Sequence, residues 1–387
     1  MIILNLSTYP PQQCGIATFS MDLRKSLLLQ DCKFEVLAIS DVEDNEYNYP
    51  SEVVLTLFIN CKADYIKAAE YANSRTDVEL IVVQHEFGIF GGTDGEYILE
   101  FVSRLKKPFV IITHTVLPHP TEYQHQILSE LGRQSSGVVC MTYKSAQLLI
   151  EGYSIPSSLV NVINHGVPLF KRYPQEILKQ KYGFQSHQLI ITFGLIGPGK
   201  GLEIGIHALA NVVLTHPSAR YLIIGKTHPV LKKREGEKYR YMLMDLVKEL
   251  HLEDNVLFID KFLSDEELGE YLYMTDVYLS PYPNRDQAVS GTMAFALGCG
   301  CAIVSTSYAY ALEILKGGRG LLAQTNEPHE LAALINKILD NPQLQELLQK
   351  KAFLFGEKIT WPNIGLDYKH LFFHILHPLQ DSDRREI

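Results

Sequence analysis

Short apolar runs alternate with stretches of helical periodicity along this chain, and near its midpoint the alternation begins again. In the first half Ile2–Leu6, Phe34–Ile39, Leu80–Val83, Phe109–Thr113, Gly137–Cys140 and Val160–Ile163 read as strands. In the second half Leu189–Phe193, Arg220–Ile224, Asn255–Ile259, Val277–Ser280 and Ala302–Ser305 do the same. Strands interleaved with helices imply a parallel sheet, because each parallel crossover places a helix on a face of the sheet. Two such series predict an α/β chain of two doubly wound domains. The length of 387 residues and the 46% hydrophobic content supply two cores, each of about 150–200 residues.

The helices between the strands carry their own signals. Phe19, Leu23 and Leu27 recur at helical spacing, and Thr18 or Ser20 is the expected cap. Helices are predicted over Leu202–Leu214, Lys238–Leu250 and Asp265–Met274, the last opened by Ser264 with Glu267 at capping-box spacing. The break falls at His165-Gly166-Val167-Pro168 and the polar stretch up to Gln188. The expected division is residues 1–168, residues 169–355, and a helical segment 356–387 crossing back to the first domain. That segment ends in charged residues expected to be mobile.

A net charge of −9 argues against a general nucleic-acid binder. The six cysteines form no Cys-x-x-Cys pair and have no histidine at ligand spacing, so they read as reduced, mostly buried thiols rather than metal ligands. The N-terminus lacks a basic segment followed by a long apolar run, and no run approaches the roughly 18 apolar residues of a membrane span. A cytoplasmic protein without a transmembrane segment is expected; its oligomeric state is left open.

Ligands of open α/β sheets bind beyond the carboxyl ends of the strands, and the polar and glycine-rich segments lie there. After the first strand comes Pro10-Pro11-Gln12-Gln13-Cys14-Gly15, where Gly15 at a helix start suits an anion. An ordinary strand-to-helix turn explains it equally well. Gln84-His85-Glu86-Phe87-Gly88-Ile89-Phe90-Gly91-Gly92 follows an apolar strand and suits sugar recognition through His85, Glu86, Gly91 and Gly92. A self-satisfied His–Glu pair is the alternative. His114, again directly after a strand, can bond a sugar hydroxyl or support charge at a reacting carbon. A buried, satisfied histidine is the plainer reading.

The second domain opens with Gly194-Leu195-Ile196-Gly197-Pro198-Gly199-Lys200-Gly201, close to a P-loop. Position 201 is glycine instead of a hydroxyl residue that would hold Mg²⁺, and Pro198 lacks an N–H. Lys200 at a helix mouth still suits a diphosphate. Gln287-Ala288-Val289-Ser290-Gly291-Thr292 offers amides and hydroxyls to a second phosphate. The basic run from Lys226 through Arg234 to Arg240 is a solvated helix face or a phosphate clamp, and Lys261 is a further cationic candidate.

Taken together, Tyr9–Asp22, His114, Gly166-Val167-Pro168, Gly194 with Lys200-Gly201, and Gln287–Val304 resemble the retaining family-4 glycosyltransferases. The resemblance implies the GT-B fold, two Rossmann-like doubly wound domains facing a central cleft, with acceptor bound by the first domain and donor by the second. It implies transfer of a hexose from a nucleotide diphosphate sugar, of GDP-mannose or UDP-glucose type, to a carbohydrate or other hydroxyl acceptor with retention. No Asp-x-Asp follows a strand in either domain, Asp381-Ser382-Asp383 lying in the tail, so no metal or other cofactor is expected. Lys200 would hold the donor diphosphate, together with Gly194, Gly201 and the Ser290-Gly291-Thr292 loop. Gly15 would lie near phosphate and sugar, and His114 and Gln287 near the reacting carbon. The chain departs from the family pattern at three positions. Leu195 stands where an arginine is usual, and Gln287-x7-Phe295 replaces a Glu-x7-Glu pair. Arg234 or Arg240 is the candidate for the missing cation. A non-catalytic sugar-nucleotide binder is the rival reading, and a P-loop ATPase a distant third.

Overall fold

The computed structural model describes residues 1–42 and 47–378; the charged tail, with Asp381 and Asp383, lies outside the described residues. The chain forms two compact units, Met1–Gly166 with Trp361 onward, and Val167–Thr360.

The first unit carries β1 (Ile2–Ser7), α1 (Gly15–Leu28), β2 (Lys33–Ser40), β3 (Val53–Phe58), α2 (Lys62–Ser74), β4 (Leu80–His85), α3 (Ile98–Val102), β5 (Phe109–Thr113), α4 (Glu122–Gln134), β6 (Gly137–Cys140), α5 (Tyr143–Gln147) and β7 (Val160–Val162). Its strands form one parallel sheet in the order β3-β2-β1-β4-β5-β6-β7. Alternate residues of the strands, Leu4, Leu6, Leu37, Ile39, Ile81 and Val83, pack against Tyr65, Ala68 and Ala69 of α2 and Ile98 and Phe101 of α3. Each fully buried side chain of this size contributes about 1.5–3 kcal/mol.

The second unit carries α6 (Gln175–Tyr182), β8 (Gln188–Phe193), α7 (Leu202–Val212), β9 (Ala219–Ile224), α8 (Pro229–Glu235), α9 (Lys238–Glu249), β10 (Val256–Ile259), α10 (Asp265–Tyr273), β11 (Val277–Ser280), α11 (Gly291–Gly298), β12 (Ile303–Thr306), α12 (Ala309–Ile314), β13 (Leu321–Ala323), α13 (Pro328–Leu339) and α14 (Pro342–Gly356). Its parallel sheet runs β10-β9-β8-β11-β12-β13. The period of two is clear in the packing. Ile190, Tyr221, Ile223, Val277 and Leu279 join one cluster with α7, α9 and α13. Leu189, Ile191, Leu222 and Ile224 join the opposite one with Leu178 and Tyr271. The last helix, α15 (Trp361–Leu376), returns to the first unit. There Trp361 meets Phe19 edge-on at 5.1 Å, and Gly365 lets the helix approach Ser26.

Both sheets have the topology of doubly wound domains, with the order reversing between β1 and β4 and between β8 and β11. The edge strands β3 and β13 were not expected from sequence; β3 is an apolar run that is only half covered, and β13 is three residues long. The cap of α1 is also different. The helix starts at Gly15, and the Cys14 sulfur accepts from the Ala17 amide at 3.3 Å. Ser20 is inside the helix, bonded to Ser7 Oγ at 2.6 Å, and the Thr18 hydroxyl donates back to Cys14 O. The Ser264–Glu267 capping box is present, with both reciprocal bonds.

Candidate active site

In the second unit the polar residues gather at the switch point between β8 and β11. The chain leaves β8 through Gly194, which has φ of +119°, and turns back to present Lys200 over it. A Cβ at position 194 would lie 3.1 Å from Lys200 Nζ and 3.0 Å from Thr292 Cγ2. The Lys200 ammonium donates to the Tyr282 phenol oxygen and lies 4.7 Å from that ring's centroid. The Tyr282 and Thr292 hydroxyls share a hydrogen bond at 2.9 Å, and Thr292 and Ser290 another at 3.2 Å. Ser290 caps α11, accepting from Met293 N, so the amides at the helix start remain oriented outward along the dipole. Burial raises the Tyr282 phenol's pKa, but the Lys200 charge and the hydrogen bonds around the ring outweigh this and hold it below the usual tyrosine value.

The backbone permits this closeness only with glycine. Gly225, after β9, has φ of +141°, and a Cβ there would come within 2.0 Å of Gly194 O. Gly201, at φ +60°, would bring a Cβ within 2.1 Å of Pro281 O. Lys200, Gly194, Ser290, Gly291 and Thr292 are thus brought to one place, along with Tyr282, which belongs to no motif in the sequence. Its signal was its position two residues after β11.

The other cationic candidates are dispersed. Lys226 is exposed, its carbonyl accepting from Ile196 N. Arg234 is exposed and paired with Glu235 at 2.5 Å. Lys261 pairs with Glu267 of the capping box. Arg240 is buried, donating to Gly225 O at 2.8 Å and Asp260 Oδ1 at 3.0 Å. It therefore supports the glycine turn from beneath instead of standing open to a ligand. The Gln287 amide turns to Val289 O at 2.8 Å. Phe295 packs near Phe170 and Phe193. His228 is half-buried, and burial followed by the Lys200 charge lowers its pKa.

In the first unit Gly15 is exposed, with open space where a side chain would stand. His114 Nε2 lies 2.9 Å from Gln84 Oε1, and Phe19 meets its ring edge-on at 4.8 Å. Burial, with His165 and His85 nearby, lowers His114 to about 3, so it is neutral at pH 7. Glu86 accepts from Phe87 N and from the Thr115 hydroxyl, and burial raises its carboxyl.

His85 was expected to face a ligand, but it is 1% exposed, its ring against Phe87 and Phe90. The cause is the length of β4, which extends through residue 85 and is buried on both faces. Gly91 and Gly92 fit under Tyr97, where a Cβ on either would lie 2.7 Å from the ring. Their absent side chains therefore serve packing. None of the six cysteines is joined in a disulfide, and four of them are buried. Among the described residues no His/Cys/Asp/Glu group is arranged to hold a metal, and no helix is long and apolar enough to cross a membrane.

Residues 174–354 match the family model for Glycosyl transferases group 1. A D-inositol 3-phosphate glycosyltransferase of Thermobispora bispora is 24% identical over 233 residues, covering 58% of this chain and 52% of that protein. The chain spans about half the length of the first curated relatives it matches. An uncharacterized glycosyltransferase of Methanocaldococcus jannaschii is 21% identical over 96% of this chain and 98% of its own. Among solved structures, Anabaena HepE in complex with UDP and glucose aligns with a TM-score of 0.77 at 18% identity, over 96% of this chain and 99% of that one. Sucrose-phosphate synthase of Thermosynechococcus elongatus aligns with a TM-score of 0.79 at 15% identity, over 97% and 99%. The fold is the GT-B fold of these glycosyltransferases.

Proposed function

We propose that this chain is a metal-independent hexosyltransferase. It moves a hexose from a nucleotide diphosphate sugar, of UDP-glucose or GDP-mannose type, to a hydroxyl acceptor with retention of configuration. The observation that carries the reading is Lys200, held over Gly194 beside Tyr282, Thr292 and the start of α11. A cation, hydroxyls and helix-end amides at one switch point suit a diphosphate. The solved complexes of the Anabaena protein with UDP-glucose support a donor of that class.

The difficult step is departure of the nucleotide diphosphate, as negative charge develops on its bridging oxygen. Lys200 and the α11 amides stabilise that charge without reorganising, the role a metal would otherwise take. Gly194 and Gly201 let the backbone approach, and Gln287 supplies a neutral amide to the sugar. Retention follows if the acceptor attacks from the face the diphosphate leaves, with a phosphate oxygen taking the acceptor's proton. The first unit contributes recognition of hydroxyls through Glu86 and His114, with Gly15 open to an anion. Lys226, Arg234 and Lys261 are outer cations that steer donor. The Gln-x7-Phe pattern marks an atypical subgroup in which the ribose is held by other means. Free thiols suit a cytoplasmic setting.

The test is a thermal-shift screen of UDP, GDP and their sugars with and without EDTA, followed by transfer assays with an acceptor panel. A ligand at 100 times its Kd stabilises by about 2.7 kcal/mol. Stabilisation that survives EDTA, followed by transfer, supports the proposal. Binding lost in EDTA and restored by Mg²⁺ removes metal independence. Binding with no transfer to any acceptor favours a non-catalytic binder.

A further inference from the structure

We propose that Gln84, itself held by Asn5, is a positioning residue that fixes the tautomer of His114 and so decides which ring nitrogen meets a ligand. The inference deepens the reading of His114 given above and rests on it. Asn5 on β1 and Gln84 on β4 are both 0% exposed. They are polar residues in strands otherwise lined by Leu4, Leu6, Val82 and Val83. Buried amides cost free energy unless bonded; here the two are bonded in series, and of the pair only Asn5 Nδ2 is left buried without a partner among the described residues. Gln84 Nε2 donates to Asn5 Oδ1 at 3.1 Å. That turns Gln84 Oε1 toward His114 Nε2, at 2.9 Å.

An amide oxygen can only accept, so the proton sits on His114 Nε2. A neutral imidazole carries one N–H, which leaves Nδ1 as a lone pair. Among the described residues Nδ1 has no hydrogen-bond partner, and it is not sealed from solvent. The ring therefore presents an acceptor, suited to the O–H of a sugar and not to a phosphate or carbonyl oxygen. The titratable groups around it are His85 of β4 and His165 after β7, while α1 meets it with uncharged Phe19. The relay uses the switch point of the sheet, where β1 and β4 are neighbours although far apart in sequence.

The experiment is a long-range ¹H–¹⁵N spectrum of the full-length protein labelled with [¹⁵N]histidine at pH 7. His114 is assigned by the signals lost in His114→Gln. A protonated Nε2 and a pyridine-type Nδ1 are expected; a protonated Nδ1 overturns the proposal. Gln84→Glu should keep Nε2–H and raise the His114 midpoint from about 3 by about 1–3 pH units, as an opposite charge at this range does. Gln84→Leu should release the ring into a mixture of tautomers and raise donor KM about 2- to 10-fold, the loss of one hydrogen bond. Spectra unchanged in both variants would also overturn it. Should either variant misfold, the wild-type spectrum decides alone. Because that spectrum needs no substrate, Nε2–H in a protein that binds no sugar nucleotide would uphold the relay and count only against the proposed function.

Discussion

Lys200 and Tyr282 stand 82 positions apart in sequence, yet the ammonium of one donates to the phenol oxygen of the other. The tyrosine is itself held in place. Its ring stacks on Tyr308 at 5.2 Å, and its hydroxyl also bonds Thr292. The cation is thus aimed by a rigid aromatic column over the turn at Gly194.

Lys200→Ala should lower kcat by about 10²–10³, the cost of removing one preorganised stabiliser of developing negative charge. The fold should survive, since Lys200 is only partly covered and its ring contact contributes about 0.5–1 kcal/mol. Lys200→Arg should recover part of the rate, because guanidinium keeps the charge with different reach. Steady-state kinetics with melting temperatures decide it. Near-wild-type turnover in a folded Lys200→Ala protein would take the residue out of the mechanism.

Tyr282→Phe keeps the stack on Tyr308 but removes the hydroxyl. Donor KM should rise about 2- to 10-fold, the loss of one hydrogen bond, with a smaller fall in kcat than for Lys200→Ala. If the tyrosine acts by aiming the lysine, the two substitutions are not additive, with a coupling of about 0.5–3 kcal/mol in a double-mutant cycle. Additive effects would mean that Tyr282 acts independently.

Gly201→Ala and Gly199→Ala form a matched pair two residues apart. At position 201 a Cβ meets Pro281 O at 2.1 Å with φ of +60°, whereas at position 199 nothing lies within 4 Å. The first should cost at least about 1–3 kcal/mol in backbone strain and abolish nucleotide stabilisation. The second should change stability by within about 0.5 kcal/mol. Chemical denaturation and thermal shift of both proteins provide the comparison; equal behaviour would refute the close approach.

Stability should fall as pH drops below about 6.5, the unfolded histidine value. Burial lowers His85 and His165 to about 4 and His114 to about 3 in the folded chain. Between these values and about 6.5 the unfolded chain binds more protons, so acid favours unfolding; above that range neither state is charged and the effect vanishes. Each histidine contributes up to about 1.4 kcal/mol per pH unit in the window, led by His85 and His165, which are 1% and 8% exposed. Denaturation curves from pH 4 to 8 should show the slope, and His85→Gln should lessen it. A flat profile would contradict the burial.

The two-domain fold was legible in the sequence because parallel strands buried on both faces must be apolar throughout. Phe109–Thr113, Gly137–Cys140 and Val277–Ser280 came out with the bounds their composition suggested. The edge strand β13 was hidden because three residues make too short a run, whereas β3 is an apolar run, Val53–Phe58, that was legible as a strand and not expected. Lys200 and the Ser290-Gly291-Thr292 loop were visible as types of residue at strand ends. Their meeting was not, because it depends on β8 and β11 being neighbours and on the positive φ of Gly194 and Gly225. His85 and Glu86 looked alike on paper; the first is sealed at 1% exposure inside the end of β4, while the second, just past the strand, is mostly buried and bonded to Thr115 and Phe87 N. Tyr282 and Gln84 became informative only with their partners in view. Local sequence determines which segments become strands and helices through side-chain period and burial. Which polar atoms then touch is decided by strand order, which brings together residues that no spacing along the chain relates.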